Sequence, residues 1–496
     1  MYLGIDLGTT FSVGAYVDNN ENVKIINSSE GNFTVPSVVL FDSDKQVVVG
    51  EIAKESSIVR ADDVISVVKN YMGKKAVLKH FCGRDYTPEM ISSFILRKII
   101  GDAENSTGEK VEGVVVTVPA YFTDSQRKAT EDAVIMTGVP LVGLINEPTA
   151  AALSYIHENE IKEKNILIYD LGGGTFDVTV LNVNLTGDIK VLSTGGLSNA
   201  GGRFFDQNIV DYVREIIDNK YNIDLEDDEY TDELQELYIK AENAKIQLSL
   251  KNKTQIPIKI GKIKEVIEIT RDQFDQMIKK TYIRTEGKVN QALDDANLSI
   301  SEIDKILLVG GSSRIPYIID NIANHFGKTP SKEINPDEAV ARGAALFASM
   351  NKDKNSVHFQ DVCSHSIGIP VLNDHNQLEN HVIIPKNTIL PYTTEQRYRT
   401  ATKSQRKIDL TVTEGEFKEL TDVTTIGNFE VFLPPDLPDR TLVIISVSLD
   451  LHQLVHIRLT LPEHGVEEEY HMKRIANLND SEVEEITGIL MDYNIE

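Results

Sequence analysis

The chain reads GIDLGTT over residues 4–10 and IYDLGGGT over residues 168–175, and this repeated pattern decides the fold. In each copy a strand-like run reaches an aspartate, turns on glycine and leads into a second apolar run, which is typical of a β-hairpin. Two similar hairpins predict two similar lobes with a ligand site between them. The alternative is a chance likeness between two glycine-rich turns.

The same two stretches carry residues suited to a phosphate group. Each has an acid at a strand end, glycine that lets the backbone come close, and hydroxyl groups that can contact phosphate oxygens. If the two loops face each other, they can clamp a triphosphate while Asp6 and Asp170 hold a hydrated magnesium ion. The chain contains no G-x-x-x-x-G-K-S/T sequence, which excludes a P-loop enzyme.

The composition of the 496-residue chain excludes several other classes. With 76 Asp and Glu against 50 Lys and Arg the net charge is −26, so we expect no binding to nucleic acid or to bare membranes. Only Cys82 and Cys363 occur, which argues against disulfides or a zinc site and favours a reducing, cytoplasmic location. We also expect no secretion signal and no transmembrane helix, because the apolar runs are far shorter than a membrane span.

Changes of pattern along the chain predict four segments. Alternating strand and helix signals indicate a nucleotide-binding domain over residues 1–352, with a charged, helix-rich insertion at about 226–305. Residues 353–362 are expected to form an interdomain linker, and short alternating strands over residues 363–475 predict a β-sandwich. Residues 476–496 predict a short amphipathic helix with Ser481 as its N-cap.

Four motifs, one of which extends the second glycine-rich stretch, give the chain a specific family resemblance. They are VTVPAYF at residues 116–122, INEPTAAA at 145–152, DLGGGTFDV at 170–178 and NPDEAVARGAA at 335–345. With these the chain resembles the DnaK-type seventy-kilodalton heat-shock chaperones over nearly its whole length, whereas actin and sugar kinases share only the two phosphate loops. The resemblance implies an α/β actin-like two-lobed ATPase domain, followed by an all-β substrate-binding sandwich and a short C-terminal helix that begins a missing lid.

The resemblance also implies roles in ATP hydrolysis by in-line attack of water on the γ-phosphate. Asp6, Glu147 and Asp170 would hold Mg²⁺ mostly through waters, and Asp177 would support the catalytic water and ions, with K⁺ as a further candidate. Lys69 matches the lysine that reaches the γ-phosphate, although a lone lysine in a helical pattern is more often a solvated one. The remaining residues that would bind ATP or ADP are Thr9, Thr10, Phe11, Gly172, Gly173, Gly174, Thr175, Gly201, Gly202, Glu242, Lys245, Ser249, Gly310, Gly311, Ser312, Arg314 and Asp337.

Three positions of the expected nucleotide site carry qualifications. Gly310 and Gly311 link a strand-like run to a helix, which suits a nucleoside but is equally typical of a tight strand-to-helix connection. Ile246 stands where relatives often carry an arginine against the adenine ring, so we expect weaker binding by about 1 kcal/mol.

Coupling between the domains is a further implication of the resemblance. Pro119 and Arg127 resemble the switch that reports nucleotide state, and Phe359 and Asp361 belong to the linker that the switch would pull. Because this linker is less apolar than a run of leucines, we expect weaker coupling. Gly143 replaces an arginine that pairs with a J-domain co-chaperone, which puts standard stimulation by that partner in doubt.

In the β-domain, the positions that match the apolar peptide cleft are Tyr398, Ala401, Ile408 and Leu410. Plain sandwich core is the alternative for each of them. Asn380 replaces a methionine that arches over the cleft, which suggests a more polar or open pocket. Since only residues 481–496 stand where relatives have a long helical lid, we expect fast release of peptide.

The sequence therefore predicts an ATP-dependent chaperone that grips extended hydrophobic peptide segments. The expected partners are these segments, a J-domain co-chaperone and a nucleotide-exchange factor, and the chain is expected to be a monomer. The alternative is an actin-like, nucleotide-dependent regulatory or assembly protein without peptide-coupled hydrolysis. A small-molecule kinase is a more distant alternative.

Overall fold

A computed structural model describes residues 1–159, 164–331, 333–353, 359–373, 375, 377–400, 402–470, 473–475 and 477–496. These residues form two α/β lobes, a β-domain and a C-terminal helix.

The first lobe is built around a mixed sheet. Its strands are β1 (Tyr2–Asp6), β2 (Phe11–Val17), β3 (Val23–Ile25), β4 (Val35–Pro36), β5 (Val39–Ser43), β6 (Gln46–Val49), β7 (Val64–Ile65), β8 (Lys79–Phe81), β9 (Arg84–Tyr86), β10 (Gly113–Val118) and β11 (Leu141–Asn146), and its helices are α1 (Glu51–Ser56), α2 (Pro88–Thr107) and α3 (Asp124–Ile135). The sheet order is β11–β10–β1–β2–β3, with β4 beside β2. β1 runs parallel to β10 and antiparallel to β2, so residues 4–15 form the predicted hairpin.

The second lobe repeats this arrangement. Its elements are α4 (Glu147–Glu158), β12 (Lys164–Leu171), β13 (Phe176–Val183), β14 (Ile189–Leu197), α5 (Gly202–Tyr221), α6 (Thr231–Leu250), β15 (Lys253–Ile260), β16 (Ile263–Thr270), α7 (Arg271–Asp295), β17 (Lys305–Val309), α8 (Pro316–Phe326) and α9 (Ala339–Asp353). The order β17–β12–β13–β14 has the same parallel, antiparallel and antiparallel pairings as β10–β1–β2–β3. The duplication is therefore structural and not a chance likeness of turns.

Helices α4 and α9 pack against each other between the two sheets. The contact depends on small residues, because a Cβ atom at Gly343 would lie 1.7 Å from the carbonyl oxygen of Ala150. A Cβ atom at Gly4 on β1 would lie 2.1 Å from the backbone nitrogen of Ala345. The alanine-rich motifs of the sequence thus let two helices and a strand approach one another closely.

The charged insertion contains a hairpin as well as helices. β15 and β16 pair antiparallel along their whole length, and buried and exposed residues alternate along β15. The α6 and α7 helices flank the hairpin in sequence. The sequence interpretation recognised the helices and missed the hairpin.

The β-domain consists of two sheets that enclose one core. Its strands are β19 (Ile367–Leu372), β20 (Leu378–Ile384), β21 (Tyr392–Arg399), β22 (Lys407–Glu414), β23 (Thr424–Phe432), β24 (Leu442–Leu449), β25 (Val455–Leu461), β26 (Val466–Tyr470) and β27 (Lys473–Arg474), preceded by β18 (Phe359–Gln360) in the linker. The sheet orders are β20–β19–β22–β23–β27 and β21–β24–β25–β26. β18 joins the second lobe instead, where it pairs parallel with β14.

The C-terminal segment packs on the first lobe. It consists of α10 (Asp480–Leu490) and β28 (Asn494–Ile495), and β28 pairs parallel with β6. Val483 and Leu490 are buried in the core of the first lobe. The N-cap is Asn479 and not Ser481, because the Asn479 side chain accepts from the Glu482 amide while the Glu482 carboxylate accepts from the Asn479 amide.

Candidate active site

The two glycine-rich loops face each other across the space between the lobes. A Cβ atom at Gly173 would lie 2.1 Å from Thr10 Oγ1, and one at Gly174 would lie 3.2 Å from Thr9 Oγ1. A side chain at either glycine would force the opposing threonine to shift. The loops thus have the facing arrangement that a clamp around a triphosphate requires.

Four carboxylates lie beside these loops, of which Glu147, Asp170 and Asp177 are buried and Asp6 is half-buried. Asp6 and Asp170 lie at the ends of the equivalent strands β1 and β12, Glu147 lies in the first turn of α4, and Asp177 lies opposite Asp170 on β13. Burial, together with the charge of Glu147, raises the pKa of Asp6 and of Asp177 to about 7 and that of Asp170 well above its usual value. The site therefore concentrates negative charge that a cation would relieve.

Magnesium fits this set of donors. All four groups offer oxygen, which a hard cation prefers. Among the described residues, no three acidic, histidine or cysteine side chains converge closely enough to ligate a metal directly. Asp6, Glu147 and Asp170 are thus suited to hold a hydrated ion through its waters.

Lys69 is a buried part of this site. It lies on the 3₁₀ turn Val68–Tyr71, and its Nζ donates to Glu147 Oε1 at 2.5 Å. Burial lowers the pKa of Lys69, but the charges of Glu147 and Asp6 outweigh it and raise the pKa above its usual value. The side chain therefore stays charged and is not on a solvated helix face.

The loop after β14 forms one wall of the predicted nucleoside pocket. Gly201 adopts a positive φ of 137° and a Cβ atom there would lie 2.6 Å from the Gly172 carbonyl oxygen. Lys245 Nζ donates to the Gly202 carbonyl at 3.3 Å, and Ser312 Oγ donates to the Gly172 carbonyl at 2.8 Å. These bonds connect α6, the Gly310-Gly311 turn and the second phosphate loop.

The other predicted adenosine residues have their own partners. Arg314 pairs with Asp337 at 2.6 Å, the Ser249 hydroxyl donates to the Lys245 carbonyl, and Glu242 pairs with Lys54 of the first lobe at 2.7 Å. Lys54 also lies 5.1 Å from the centre of the Phe11 ring.

Two residues at this pocket were missed by the sequence interpretation. Lys54 spans the two lobes through Glu242, and Asp206 accepts a hydrogen bond from Lys245 at 2.8 Å. Nothing in the local sequence identifies them, because each partner lies far away along the chain.

Asn146 connects the active site to the linker. Its Oδ1 accepts from Arg127 Nη2 at 2.9 Å and its Nδ2 donates to Asp361 Oδ2 at 2.7 Å. Glu147 follows it directly in sequence. Arg127 and Asp361 are both buried, and Pro119 lies one residue before Ala120, whose carbonyl accepts from Arg127. Sequence interpretation identified Arg127, Pro119 and Asp361 but not Asn146.

The predicted peptide residues lie on both sheets of the β-domain. Tyr398 on β21 and Ile408 on β22 are half-buried against the core, and Leu410 is buried within it. Ala401 lies outside the described residues. Asn380 is buried, accepts from Thr413 Oγ1 at 2.6 Å and donates to the Phe417 carbonyl at 2.9 Å.

Comparison with known proteins identifies the family. The model of the family described as Hsp70 protein matches residues 2–494. The chain belongs to the Hsp70 family. This Hsp70 is 37% identical over 467 residues to proteins named chaperone protein DnaK from Thermosipho melanesiensis and Thermosipho africanus, covering 92% of this chain and 77% of each relative. The predicted family and fold class are confirmed.

Membership of the Hsp70 family establishes the general activity of the chain. This Hsp70 is an ATP-dependent chaperone whose actin-like domain binds ATP and ADP with Mg²⁺ and hydrolyses ATP to ADP and phosphate. It binds client polypeptides and works with co-chaperones in general. In the described part of the chain no helix is long and apolar enough to cross a membrane.

Proposed function

We propose that ATP hydrolysis between the lobes regulates how the β-domain binds and releases extended hydrophobic peptide segments. The observation that carries this is Asn146, whose side chain contacts both Arg127 and the linker residue Asp361 and which directly precedes Glu147. A movement of Glu147 during the nucleotide cycle would therefore reach the linker within one residue.

In this proposal the buried charges of the site divide the work. Asp6, Glu147 and Asp170 would hold Mg²⁺ mostly through waters, and the ion would supply positive charge that offsets the charge of the phosphate groups. Lys69, fixed by its 2.5 Å bond to Glu147, orients the γ-phosphate and the attacking water. Asp177 supports that water, and K⁺ is the further ion that we propose beside it.

The phosphate and adenosine contacts follow the facing loops. Thr9, Thr10 and Thr175 bind phosphate oxygens through their hydroxyls, as the approach of Thr9 and Thr10 to Gly174 and Gly173 favours. Phe11, Gly201 and Gly202 are further proposed nucleotide contacts. The proposed adenosine contacts are Glu242, Lys245, Ser249, Gly310, Gly311, Ser312, Arg314 and Asp337.

The proposed peptide site consists of Tyr398, Ala401, Ile408 and Leu410. Tyr398 and Ile408 are half-buried against the core, which leaves apolar surface for a ligand. Leu410 is buried and would support the site from within the core. The proposed domain boundaries are residues 1–352, 353–362, 363–475 and 476–496, of which linker residues 354–358 lie outside the described part.

Partners and location complete the proposal. A nucleotide-exchange factor and a J-domain co-chaperone are the proposed helpers, on a cytoplasmic monomer that binds neither nucleic acid nor membrane. J-domain contact would differ from that of relatives, because a Cβ atom at Gly143 would lie 3.6 Å from Nε2 of His452 in the β-domain. The β-domain thus approaches the place where relatives carry an arginine.

Steady-state ATP hydrolysis with and without short hydrophobic peptides tests peptide coupling. We expect slow turnover that rises with peptide in the wild type, stays basal in Asp361→Ala, and is abolished in Lys69→Ala. Asp439→Ala, an exposed aspartate of the β-domain, is the matched control and should respond like the wild type. Turnover that ignores peptide in the wild type would leave the ATPase standing and favour the regulatory or assembly alternative.

A further inference from the structure

One peptide group of the first lobe links the β-domain to Asp177. The carbonyl oxygen of Ala120 accepts from Ser364 Oγ of the β-domain and from Arg127 Nη2 at 3.0 Å. The amide N–H on the other side of the same peptide group belongs to Tyr121 and donates to Asp177 Oδ1 at 2.9 Å. Ser364 and Asp177 are both buried, so water does not compete for these bonds.

The next peptide group is held by the next residue of the β-domain. His365 Nε2 lies 3.0 Å from the Tyr121 carbonyl oxygen, and the His365 and Tyr121 rings are 4.1 Å apart. Because a carbonyl oxygen can only accept, Nε2 of His365 carries the proton and donates. Two consecutive β-domain residues therefore fix two consecutive carbonyls of residues 120 and 121.

We propose that Ser364 and His365 are positioning residues for ATP hydrolysis that act through Tyr121 on the carboxylate of Asp177. Ser364 acts through the Ala120–Tyr121 peptide group, and His365 acts through the carbonyl of Tyr121 in the next one. The inference rests on the proposed function only for the role of Asp177 in hydrolysis. It does not require that peptide binding stimulates turnover.

The chain of bonds gives the physical basis. Donors on the Ala120 carbonyl polarise the peptide group and strengthen the Tyr121 N–H as a donor to Asp177. The packing leaves little room for Tyr121 to shift, since a Cβ atom at Gly196 would lie 2.8 Å from Tyr121 Cβ and 3.1 Å from Asp177 Oδ1. Loss of either donor from the β-domain thus changes how the carboxylate is held.

Paired variants of the full chain test this inference without peptide. Ser364→Ala and His365→Phe remove the donors, whereas Ser364→Thr and His365→Gln keep them. We expect the first two to lower the single-turnover hydrolysis rate at saturating ATP by about threefold to tenfold, and the second two to stay within about twofold of the wild type. The dissociation constant for ADP should stay the same in all four.

A second readout does not depend on nucleotide. In nucleotide-free protein labelled with ¹⁵N-tyrosine, the Tyr121 amide should exchange its hydrogen faster in Ser364→Ala and His365→Phe than in their conservative partners. Arg474→Met is the control, because Arg474 pairs with Asp124 across the same domain interface and is not among the donors to residues 120 and 121. It should leave Tyr121 exchange and the hydrolysis rate unchanged.

The outcomes separate cleanly. Slower hydrolysis with faster Tyr121 exchange, restored by the conservative variants, supports positioning. Unchanged hydrolysis in Ser364→Ala and His365→Phe overturns the inference, as does an equal effect of Arg474→Met, which would show that general loss of docking is the cause. ATP hydrolysis that persists in the Lys69→Ala variant would instead contradict the proposed active site.

Discussion

The hydroxyl groups of Tyr493 and Tyr86 share a hydrogen bond, with the two oxygen atoms 2.7 Å apart. Tyr493 is buried and its ring centre lies 5.3 Å from that of Phe94 on α2. Arg97 donates to the Tyr493 carbonyl at 3.1 Å, and Arg84 donates to its hydroxyl at 2.6 Å. A residue beyond the β-domain is therefore a structural part of the first lobe.

Substitution of Tyr493 should destabilise the first lobe. Tyr493→Ala leaves a cavity among aromatic rings and should lower the free energy of unfolding by about 3–5 kcal/mol. Tyr493→Phe loses only the hydroxyl bonds and should cost about 1 kcal/mol. Urea unfolding followed by circular dichroism measures both, with Tyr392→Ala on the exposed side of β21 as the control. Equal midpoints for Tyr493→Ala and Tyr392→Ala would contradict this placement.

A methyl group at Gly310 should distort the nucleotide site, because it would clash with the backbone of Leu171. Gly310 has a φ of 77° and its Cβ atom would lie 2.5 Å from the Leu171 carbonyl oxygen. Gly327 has a φ of 62° and open space around the same position, so Gly327→Ala carries only the backbone strain. By calorimetric titration, Gly310→Ala should lose ADP binding and Gly327→Ala should retain it. Retained affinity in both variants would contradict a nucleoside contact at Gly310.

An arginine at position 246 should tighten nucleotide binding. Ile246 is 51% exposed on α6, between the predicted adenosine contacts Lys245 and Ser249. A guanidinium stacked on adenine contributes about 1 kcal/mol, so Ile246→Arg should lower the dissociation constant of ADP about fivefold. Ile246→Gln is the neutral control of similar length. A fivefold gain with Gln as well would attribute the effect to lost apolar surface.

Features that depend on residues close together in the chain could be predicted from the sequence. The two glycine-rich hairpins follow from residue type and spacing within short windows of sequence. The β15–β16 hairpin was missed because charged residues on its exposed face resemble those of a helical insertion.

Contacts between distant segments could not be predicted from the sequence. Asn146 and Asp361 form a hydrogen bond although they are 215 positions apart in the chain, and Tyr86 and Tyr493 form one although they are 407 positions apart. Neither residue type signals its partner, since each also occurs in ordinary caps and cores. The same limit explains Ser364 and His365, whose acceptors are backbone carbonyls of another domain.

The interface between the first lobe and the β-domain contains a buried carboxyl group with one free oxygen. Glu414 Oε1 accepts from the Asp124 amide at 3.3 Å, and Oε2 has no hydrogen-bond partner among the described residues. Burial and the Asp124 carboxylate raise the pKa of Glu414 from 4.5 to about 8, against the opposing charge of Arg127. In the same interface, burial lowers the pKa of His365 from 6.5 to about 4.

Docking of the β-domain should therefore weaken between pH 6.5 and 8. The docked Glu414 keeps a proton that the undocked side chain releases above pH 4.5. The contribution of Glu414 to the stability of the docked state therefore falls as the pH rises to about 8. His365 has the opposite effect, because its contribution to the stability of the docked state is lost as the pH falls from 6.5 towards 4. Below pH 6.5 this loss offsets the gain from Glu414. Exchange of the Val455 amide, which donates to Asp124 across the interface, measures docking after correction for intrinsic rates. Glu414→Gln should abolish the weakening above pH 6.5, and persistence of that weakening in the variant would assign it to another group.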